Sequence, residues 1–161
     1  MPRLLIVHHS PTPSVGALTA AVVAGASDDA LQGIEVVVRP ALEADADDVL
    51  HADGYVLGTP ANFGYMSGAL KHFFDSIFLQ AGGALGDDGS ATAAGGGRKP
   101  FGLYVHGRYD TTGAVRSVQS IVGALPWRQA APVLEVLGEV GDGDRESAYE
   151  LGGTLAALVM G

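Results

Sequence analysis

Residues 52–75 constrain the fold of this 161-residue chain more than any other segment. An apolar run from Tyr55 to Leu57 ends at Gly58, and a loop rich in glycine, proline and aromatic residues follows it. Ser67 then opens a pattern in which apolar residues recur every three or four positions, as they do in a helix. A strand, a ligand-sized loop and a helix in this order are typical of the place where an open α/β sheet binds a ligand.

The rest of the sequence alternates strand and helix patterns along its whole length. We predict strands over residues 3–8, 34–39, 54–57, 99–106 and 132–136. We predict helices over residues 17–26, 43–48, 67–80, 112–125 and 145–159. Strands that alternate with helices imply right-handed crossovers and a doubly wound parallel sheet, here in a single domain of residues 1–161. Residues 81–99, which are mostly Gly, Ala, Ser and Asp, predict a flexible loop.

Composition and charge exclude several functions. The net charge of −9 argues against nucleic acid or an anionic membrane surface as a partner, because both require clustered Lys and Arg. The chain has no cysteine, and its five histidines follow no metal-ligand spacing, so we expect no metal site. No apolar run is long enough to span a bilayer and the N-terminus lacks a signal-peptide pattern, so we expect a soluble cytoplasmic protein.

The motifs in residues 52–75 resemble those of the flavodoxin-like superfamily. The resemblance is closer to its branch of NAD(P)H-dependent flavin mononucleotide (FMN) reductases and quinone reductases. It implies a three-layer α/β sandwich, with a five-stranded parallel sheet in the order 2-1-3-4-5, and FMN held without a covalent bond. The matching elements are Ala52-Asp-Gly, Gly58-Thr59-Pro60, Phe63-Gly64, Met66-Ser67-Gly68, Leu70-Lys71 and Asp75.

The first candidate loop precedes the first helix pattern and holds three hydroxyl side chains. Backbone N–H groups and hydroxyls at the start of a helix bind phosphate well, but the same residues also fit a proline-stiffened turn capped by Ser14. The residues alone leave these two interpretations equal, and the resemblance favours the FMN phosphate. Its two prolines and Val15 depart from the superfamily's usual loop. The predicted contacts are Ser10, Thr12, Pro13, Ser14 and Val15.

The resemblance places the second candidate loop along the isoalloxazine ring of the flavin. Phe63 or Tyr65 would stack on the ring or pack against its edge, while the backbone of residues 61–64 faces its polar side. The alternative makes both aromatic residues part of the core or of a dimer contact. The predicted contacts are Pro60, Ala61, Asn62, Phe63, Gly64, Tyr65 and Met66.

The third candidate loop follows the fourth predicted strand, where the resemblance implies contacts to the flavin pyrimidine. Backbone N–H groups near Gly107 and Arg108 would stabilise negative charge on reduced flavin. Arg108 would add positive charge there or reach the phosphate of the nicotinamide dinucleotide, unless it only pairs with Asp110 on the surface. The predicted contacts are His106, Gly107, Arg108 and Tyr109.

The resemblance implies an NAD(P)H-dependent oxidoreductase whose bound FMN passes electrons to a quinone, a free flavin or another small-molecule or protein acceptor. No side chain has to act as an acid or base, so we predict no catalytic residue. The third loop offers only Tyr109 as an aromatic cover, which leaves one flavin face open for nicotinamide and favours this function. The alternatives are a flavodoxin-type electron carrier, which the acidity favours, and a flavin-binding regulatory module. The sequence leaves open whether the chain forms a homodimer or a tetramer.

Overall fold

The computed structural model describes residues 1–82 and 98–161. Its strands, in chain order, are β1 (Arg3–His8), β2 (Glu35–Pro40), β3 (Gly54–Asn62), β4 (Tyr65–Met66), β5 (Lys99–Gly107), β6 (Trp127–Gln129) and β7 (Leu134–Leu137). Its helices are α1 (Pro13–Ala26), α2 (Ala46–His51), α3 (Gly68–Ala81), α4 (Thr112–Val122) and α5 (Asp142–Met160). The predicted flexible loop falls on residues 83–97, outside the described residues, except at its ends, where Ala81 closes α3 and Lys99 opens β5.

The parallel sheet confirms the predicted α/β fold and corrects one detail of its strand order. The order is β2-β1-β3-β5-β6, and β7 also pairs with β5 in parallel. The predicted fifth strand, residues 132–136, is β7 beside the end of β5, and β6 is an additional short strand on the same edge, beside the start of β5. Pro132 lies between them and has no N–H for a ladder, which accounts for the break.

Side chains of the central strands alternate between two cores, one on each face of the sheet. Leu4 and Ile6 of β1 pack with α1 and α5, while Leu5 and Val7 pack with α3 and α4. Such burial on both faces explains why β1 reads as a continuous apolar run. The result is the predicted three-layer sandwich, in which the strand ends set the position of every loop at the carboxyl edge.

Helix ends differ from the sequence prediction because local capping decides them. Helix α1 begins at Pro13, four residues early, since a proline at the first helical position gives up no hydrogen bond. Helix α2 begins at Ala46 because Asp45 and Asp48 form a reciprocal capping box with bonds of 2.9 and 3.1 Å. Helix α5 begins at Asp142, and α4 ends at Val122, next to Gly123.

Helices α1 and α5 contact each other backbone to backbone through glycine. A Cβ on Gly25 would lie 1.9 Å from the Tyr149 carbonyl oxygen, and one on Gly152 would lie 2.0 Å from that of Val22. These distances are far below van der Waals contact, so only glycine permits this approach. The close packing fixes α1, and with it the first candidate loop, against the rest of the fold.

Candidate functional site

The three candidate loops lie side by side at the carboxyl edge of the sheet. Strand β3 is the central element, with β1 on one side and β5 on the other, both parallel to it. The segments that follow these strands are His9–Thr12, the stretch around Phe63, and Arg108–Thr111. The predicted grouping of these segments into one site is thus compatible with the fold, because parallel neighbours end at the same edge.

The first loop presents the N-terminus of α1, and its cap is Thr12 rather than Ser14. The Thr12 hydroxyl accepts a hydrogen bond from the Val15 N–H at 3.3 Å. Pro13 carries no N–H, and the backbone N–H of Ser14 makes no hydrogen bond within the described residues. The Val15 side chain is fully buried, so any ligand contact it makes is through its backbone. The unbonded N–H of Ser14 therefore lies at the positive end of the dipole of α1, a helix of 14 residues.

A chain of side-chain hydrogen bonds runs beneath this loop. The Tyr104 hydroxyl lies 2.6 Å from the Thr19 hydroxyl, which lies 2.9 Å from that of Ser10. The Ser10 hydroxyl in turn lies 2.8 Å from Nδ1 of His8. Burial raises the pKa of Tyr104, and burial followed by the charge of His9 lowers that of His8. Sequence analysis missed Thr19 and Tyr104, because nothing in a single sequence joins positions 85 residues apart.

The second candidate loop is a tight hairpin, not the open loop predicted for residues 60–66. Strand β3 continues to Asn62, which pairs with Tyr65 of β4 across a two-residue turn. Phe63 and Gly64 occupy that turn with φ of 52° and 73°, as a type I′ turn requires. Phenylalanine rarely adopts positive φ, so the turn is strained at this residue. The turn pair is Phe-Gly and not the usual hairpin signal Asn-Gly, which explains the missed hairpin.

The hairpin tip carries an exposed ring on a rigid support. Phe63 is fully exposed, which rules out the alternative that it belongs to the core, and Tyr65 is 42% exposed. Helix α4 braces the tip, because a Cβ on Gly113 would lie 1.9 Å from the Gly64 carbonyl oxygen. The Met66 N–H also donates to the Ser117 hydroxyl of α4 at 3.2 Å.

The inner part of the hairpin is buried and holds its base in place. Pro60 and Met66 are buried, and Ala61 is half-buried. The Ser67 N–H donates to the Thr59 hydroxyl at 2.9 Å, which ties the end of the hairpin to β3. Of the predicted contacts in this segment, those at the tip are thus accessible to a ligand, whereas the side chains of Pro60 and Met66 are not.

The third loop presents two exposed side chains between anchored ends. Tyr109 is 84% exposed, and Arg108 is also exposed. Nε2 of His106 donates to the Gly138 carbonyl at 2.6 Å, so His106 ties β5 to the end of β7. The Thr111 hydroxyl donates to the Glu135 carboxylate at 2.6 Å. Arg108 is not paired with Asp110 within the described residues, since the Asp110 carboxylate accepts the Thr112 N–H instead.

A cavity of about 270 Å³ joins the first and third loops. It brings Ser14 next to His106 and Arg108, as the sequence predicts for parts of one site. Gly138 and Glu139 complete the lining, and sequence analysis missed both. Gly138 has a φ of 77°, and a glycine two residues after the predicted strand was the signal that marked this turn.

Two further properties of the described residues bear on function. Within residues 1–82 and 98–161, no group of three or more His, Cys, Asp and Glu side chains is placed to hold a metal ion. None of the helices in the same part of the chain is long and apolar enough to cross a bilayer.

Comparisons with known proteins give relatives of two kinds. A flavodoxin from Aquifex aeolicus is 35% identical over 48% of this chain and 40% of its own length. An NAD(P)H dehydrogenase (quinone) from Acidithiobacillus ferrooxidans is 32% identical over 56% of this chain and 55% of its own length. The chain thus spans about half the length of the curated relatives it matches. No protein-family model matches the sequence.

Among solved structures, a flavodoxin from the domain Archaea superposes with a TM-score of 0.79. The match covers 99% of both chains at 16% sequence identity, so it reports on architecture alone. The same architecture follows independently from the parallel strand order and from the helices on both faces of the sheet. The chain therefore has the flavodoxin-like fold.

Proposed function

We propose that this chain is an FMN-binding, NAD(P)H-dependent oxidoreductase. The observation that carries the proposal is the pair of exposed aromatic side chains, Phe63 and Tyr109, on the loops after β3 and β5. Burying rings of this size against an apolar partner is favourable, and apolar surface on neighbouring loops is a feature of ligand-binding grooves. A flat ring system is the ligand that two such side chains suit best.

The donor set of the first loop fits a phosphate monoester. Ser14 offers a free N–H at the start of α1, and Ser10, four residues earlier in the chain, offers a hydroxyl. Arg108 supplies a cation in the shared cavity, although Glu139 opposes it there. Neutral donors at a helix N-terminus together with one arginine suit a terminal phosphate, and FMN combines such a phosphate with a flat ring system.

The redox chemistry would belong to the flavin, and the protein's task is to bind and orient it. Phe63 and Tyr109 would pack on the rings, and the braced hairpin would hold them in one place. The N–H groups of the third loop would stabilise negative charge on the reduced cofactor. The residues described here include no side chain that this scheme needs as an acid or base.

The relation to a protein named NAD(P)H dehydrogenase (quinone) supports the reductase function. So does the motif pattern of residues 52–75, which is closer to the reductase branch. In this function the chain accepts electrons from NAD(P)H and passes them to a quinone, a free flavin or another acceptor.

A flavodoxin-type electron carrier is the second candidate. The observation that favours it is that aromatic rings stand on both loops, since a carrier that reacts through the flavin edge can keep both faces covered. Tyr109 at 84% exposure is less constrained than a packed cover would be. The reductase function requires that the Tyr109 side chain move aside to admit nicotinamide.

The test begins with cofactor binding to the flavin-free protein. Titration should give tight binding of FMN and weaker binding of riboflavin, because riboflavin lacks the phosphate that the first loop would hold. Equal affinity for the two would remove the phosphate role from Ser10 to Gly16. No binding of either would overturn the whole proposal.

The second step separates the two functions in the FMN-loaded protein. NADPH or NADH, mixed anaerobically in a stopped-flow instrument, should bleach the flavin absorbance on the timescale of turnover. If neither nucleotide bleaches it while dithionite does, the chain is the carrier. The dithionite reaction is the control for an intact, reducible flavin.

A further inference from the structure

The hydrogen-bonded chain Tyr104–Thr19–Ser10–His8 connects the buried core to the first loop. Its three links measure 2.6, 2.9 and 2.8 Å. Tyr104 is fully buried and Thr19 is 7% exposed, whereas Ser10 and His8 are half-buried. The chain thus ends at the loop where the proposed function places a phosphate.

The direction of each hydrogen bond in this chain follows from its buried end, Tyr104. The Tyr104 hydroxyl has Thr19 as its partner, and a phenol is a better donor and a poorer acceptor than an aliphatic hydroxyl. Tyr104 therefore donates to Thr19, and the single proton of Thr19 is left to donate to Ser10. The Ser10 oxygen then accepts one hydrogen bond, from Thr19, and the proton of the Ser10 hydroxyl is still available to donate.

The protonation of His8 decides where that proton points. If Nδ1 has no proton, it can only accept, and the Ser10 hydroxyl donates to it. If Nδ1 carries a proton, it donates to Ser10, whose oxygen then accepts from both His8 and Thr19. The Ser10 proton has no partner left inside the network and must point outward.

We propose that His8 is a positioning residue for the flavin phosphate, because a proton on its Nδ1 turns the Ser10 hydroxyl into a donor toward that phosphate. This inference rests on the proposed function, which places a phosphate monoester at the first loop. The other state of His8 would turn an oxygen lone pair toward the anion, which repels it. When the neutral ring of His8 holds its proton on Nε2, reaching the donor state requires a second proton on Nδ1, so that phosphate binding and proton uptake by His8 are coupled.

Within residues 1–82 and 98–161, no carboxylate is among the groups that shift the pKa of His8 or bond to it. The titratable neighbour along the chain is His9, directly after β1, and β5 contributes Tyr104 through Thr19 of α1. Strand β3 places Gly58 beside His8, and β2 places Pro40 there. Arg39, one residue earlier in β2, is paired with Asp48 at 3.6 Å.

The sign of the pH dependence follows from this coupling. Burial and His9 hold the pKa of free His8 below its ordinary value, and a bound phosphate dianion raises it. FMN affinity contributed by His8 is therefore fully present below the pKa of the free protein. It falls as pH rises toward the pKa of the complex, by up to about tenfold in total, as expected for one charge-assisted hydrogen bond.

The experiment measures the dissociation constants of FMN and riboflavin from about pH 5 to 8, the range in which histidine titrates. The flavin phosphate itself gains a proton near about pH 6, which acts in the opposite direction. The variant His8→Asn isolates the effect, since the ionisation of the phosphate is common to both proteins. Its amide N–H can replace Nδ1–H as a donor to Ser10, but it does not titrate.

We expect the ratio of wild-type to His8→Asn affinity for FMN to fall with rising pH, and the same ratio for riboflavin to stay constant. The matched variant His9→Asn should keep this fall but move it to higher pH, because His9 makes no hydrogen bond to Ser10 within the described residues while its charge lowers the pKa of His8. A ratio for FMN that does not change with pH, or a slope lost in His9→Asn, overturns the positioning role and leaves FMN binding intact. No FMN binding at any pH overturns the proposed function and this inference together.

A second readout does not depend on the variant. The pKa of His8 in the wild-type protein, followed by NMR, should rise when FMN is added and stay unchanged with riboflavin. An unchanged pKa with FMN bound would overturn the inference even if His8→Asn failed to fold.

Discussion

At the scale of single residues, the candidate site contains one backbone conformation that works against stability. Phe63 adopts a φ of 52° while its ring is fully exposed, so it gains no burial in return for the strain. Residues at positive φ that lack glycine's freedom cost about 1–2 kcal/mol. Strain of this kind without compensation is typical of functional positions, and here it places an aromatic ring at the tip of the hairpin.

We predict that Phe63→Asn raises the free energy of unfolding by about 1 kcal/mol and at the same time weakens FMN binding. Asparagine tolerates positive φ, and its side chain cannot stack on a flavin. Urea unfolding and FMN titration measure the two effects.

Phe63→Leu is the matched control for that change. It keeps the strained backbone and removes only the aromatic ring, so FMN binding should weaken with no gain in stability. If Phe63→Asn were less stable than the wild type, the assignment of strain to this residue would be wrong.

At the scale of helices and strands, α1 and α5 depend on glycine at their contact. We predict that Gly152→Ala destabilises the protein by about 1–3 kcal/mol, because its Cβ would meet the Val22 carbonyl oxygen at 2.0 Å. Both groups are backbone, so the helices have to separate. Thermal or urea unfolding measures the change.

Gly143→Ala on the same helix is the control, since no atom lies within 4 Å of its Cβ position. Alanine is the better helix former, so stability should stay equal or rise by up to about 1 kcal/mol. Equal changes in the two variants would show that the contact of Gly152 with Val22 does not determine the result.

The elements also show what this sequence can and cannot predict. Strand β1 and helix α3 are predictable because their apolar spacing is strong and Ser67 caps α3 as expected. The hairpin after β3 and the short strand β6 are not, since each depends on tertiary contacts. In the turn braced by α4, Phe63 adopts a positive φ that phenylalanine disfavours. Strand β6 depends on Trp127, whose ring stacks on that of Tyr55 with the centroids 4.0 Å apart.

The same distinction holds for the candidate site. The grouping of the three loops follows from the strand order, which the resemblance to the flavodoxin-like superfamily implies. The hydrogen bonds that run from Ser10 to Tyr104 cannot be predicted in this way. They join the first loop, α1 and β5 through side chains that no local sequence pattern relates.

At the scale of the whole molecule, charge is the property that reaches beyond the contacts described above. Eighteen Asp and Glu residues stand against nine Lys and Arg, for a net charge of −9. The surroundings of the third loop, at the carboxyl edge of the sheet, follow the same trend, since Asp110, Glu135 and Glu139 lie in the same region as Arg108. A charged electron acceptor that approaches this edge therefore meets a negative potential.

We predict that the rate at which the reduced protein passes electrons to small acceptors depends on salt with a sign set by acceptor charge. Oxidation by ferricyanide, an anion, should accelerate as ionic strength rises, because salt screens the repulsion over about 10 Å at 0.1 M. Oxidation by a hexaammine cobalt cation should slow under the same conditions. A neutral quinone is the control, and its rate should not change with salt. The reverse responses of the two ions would mean that Arg108 and the helix N-termini, and not the net charge of the chain, set the potential at the flavin edge. Equal responses for all three acceptors would mean that no net potential acts on them.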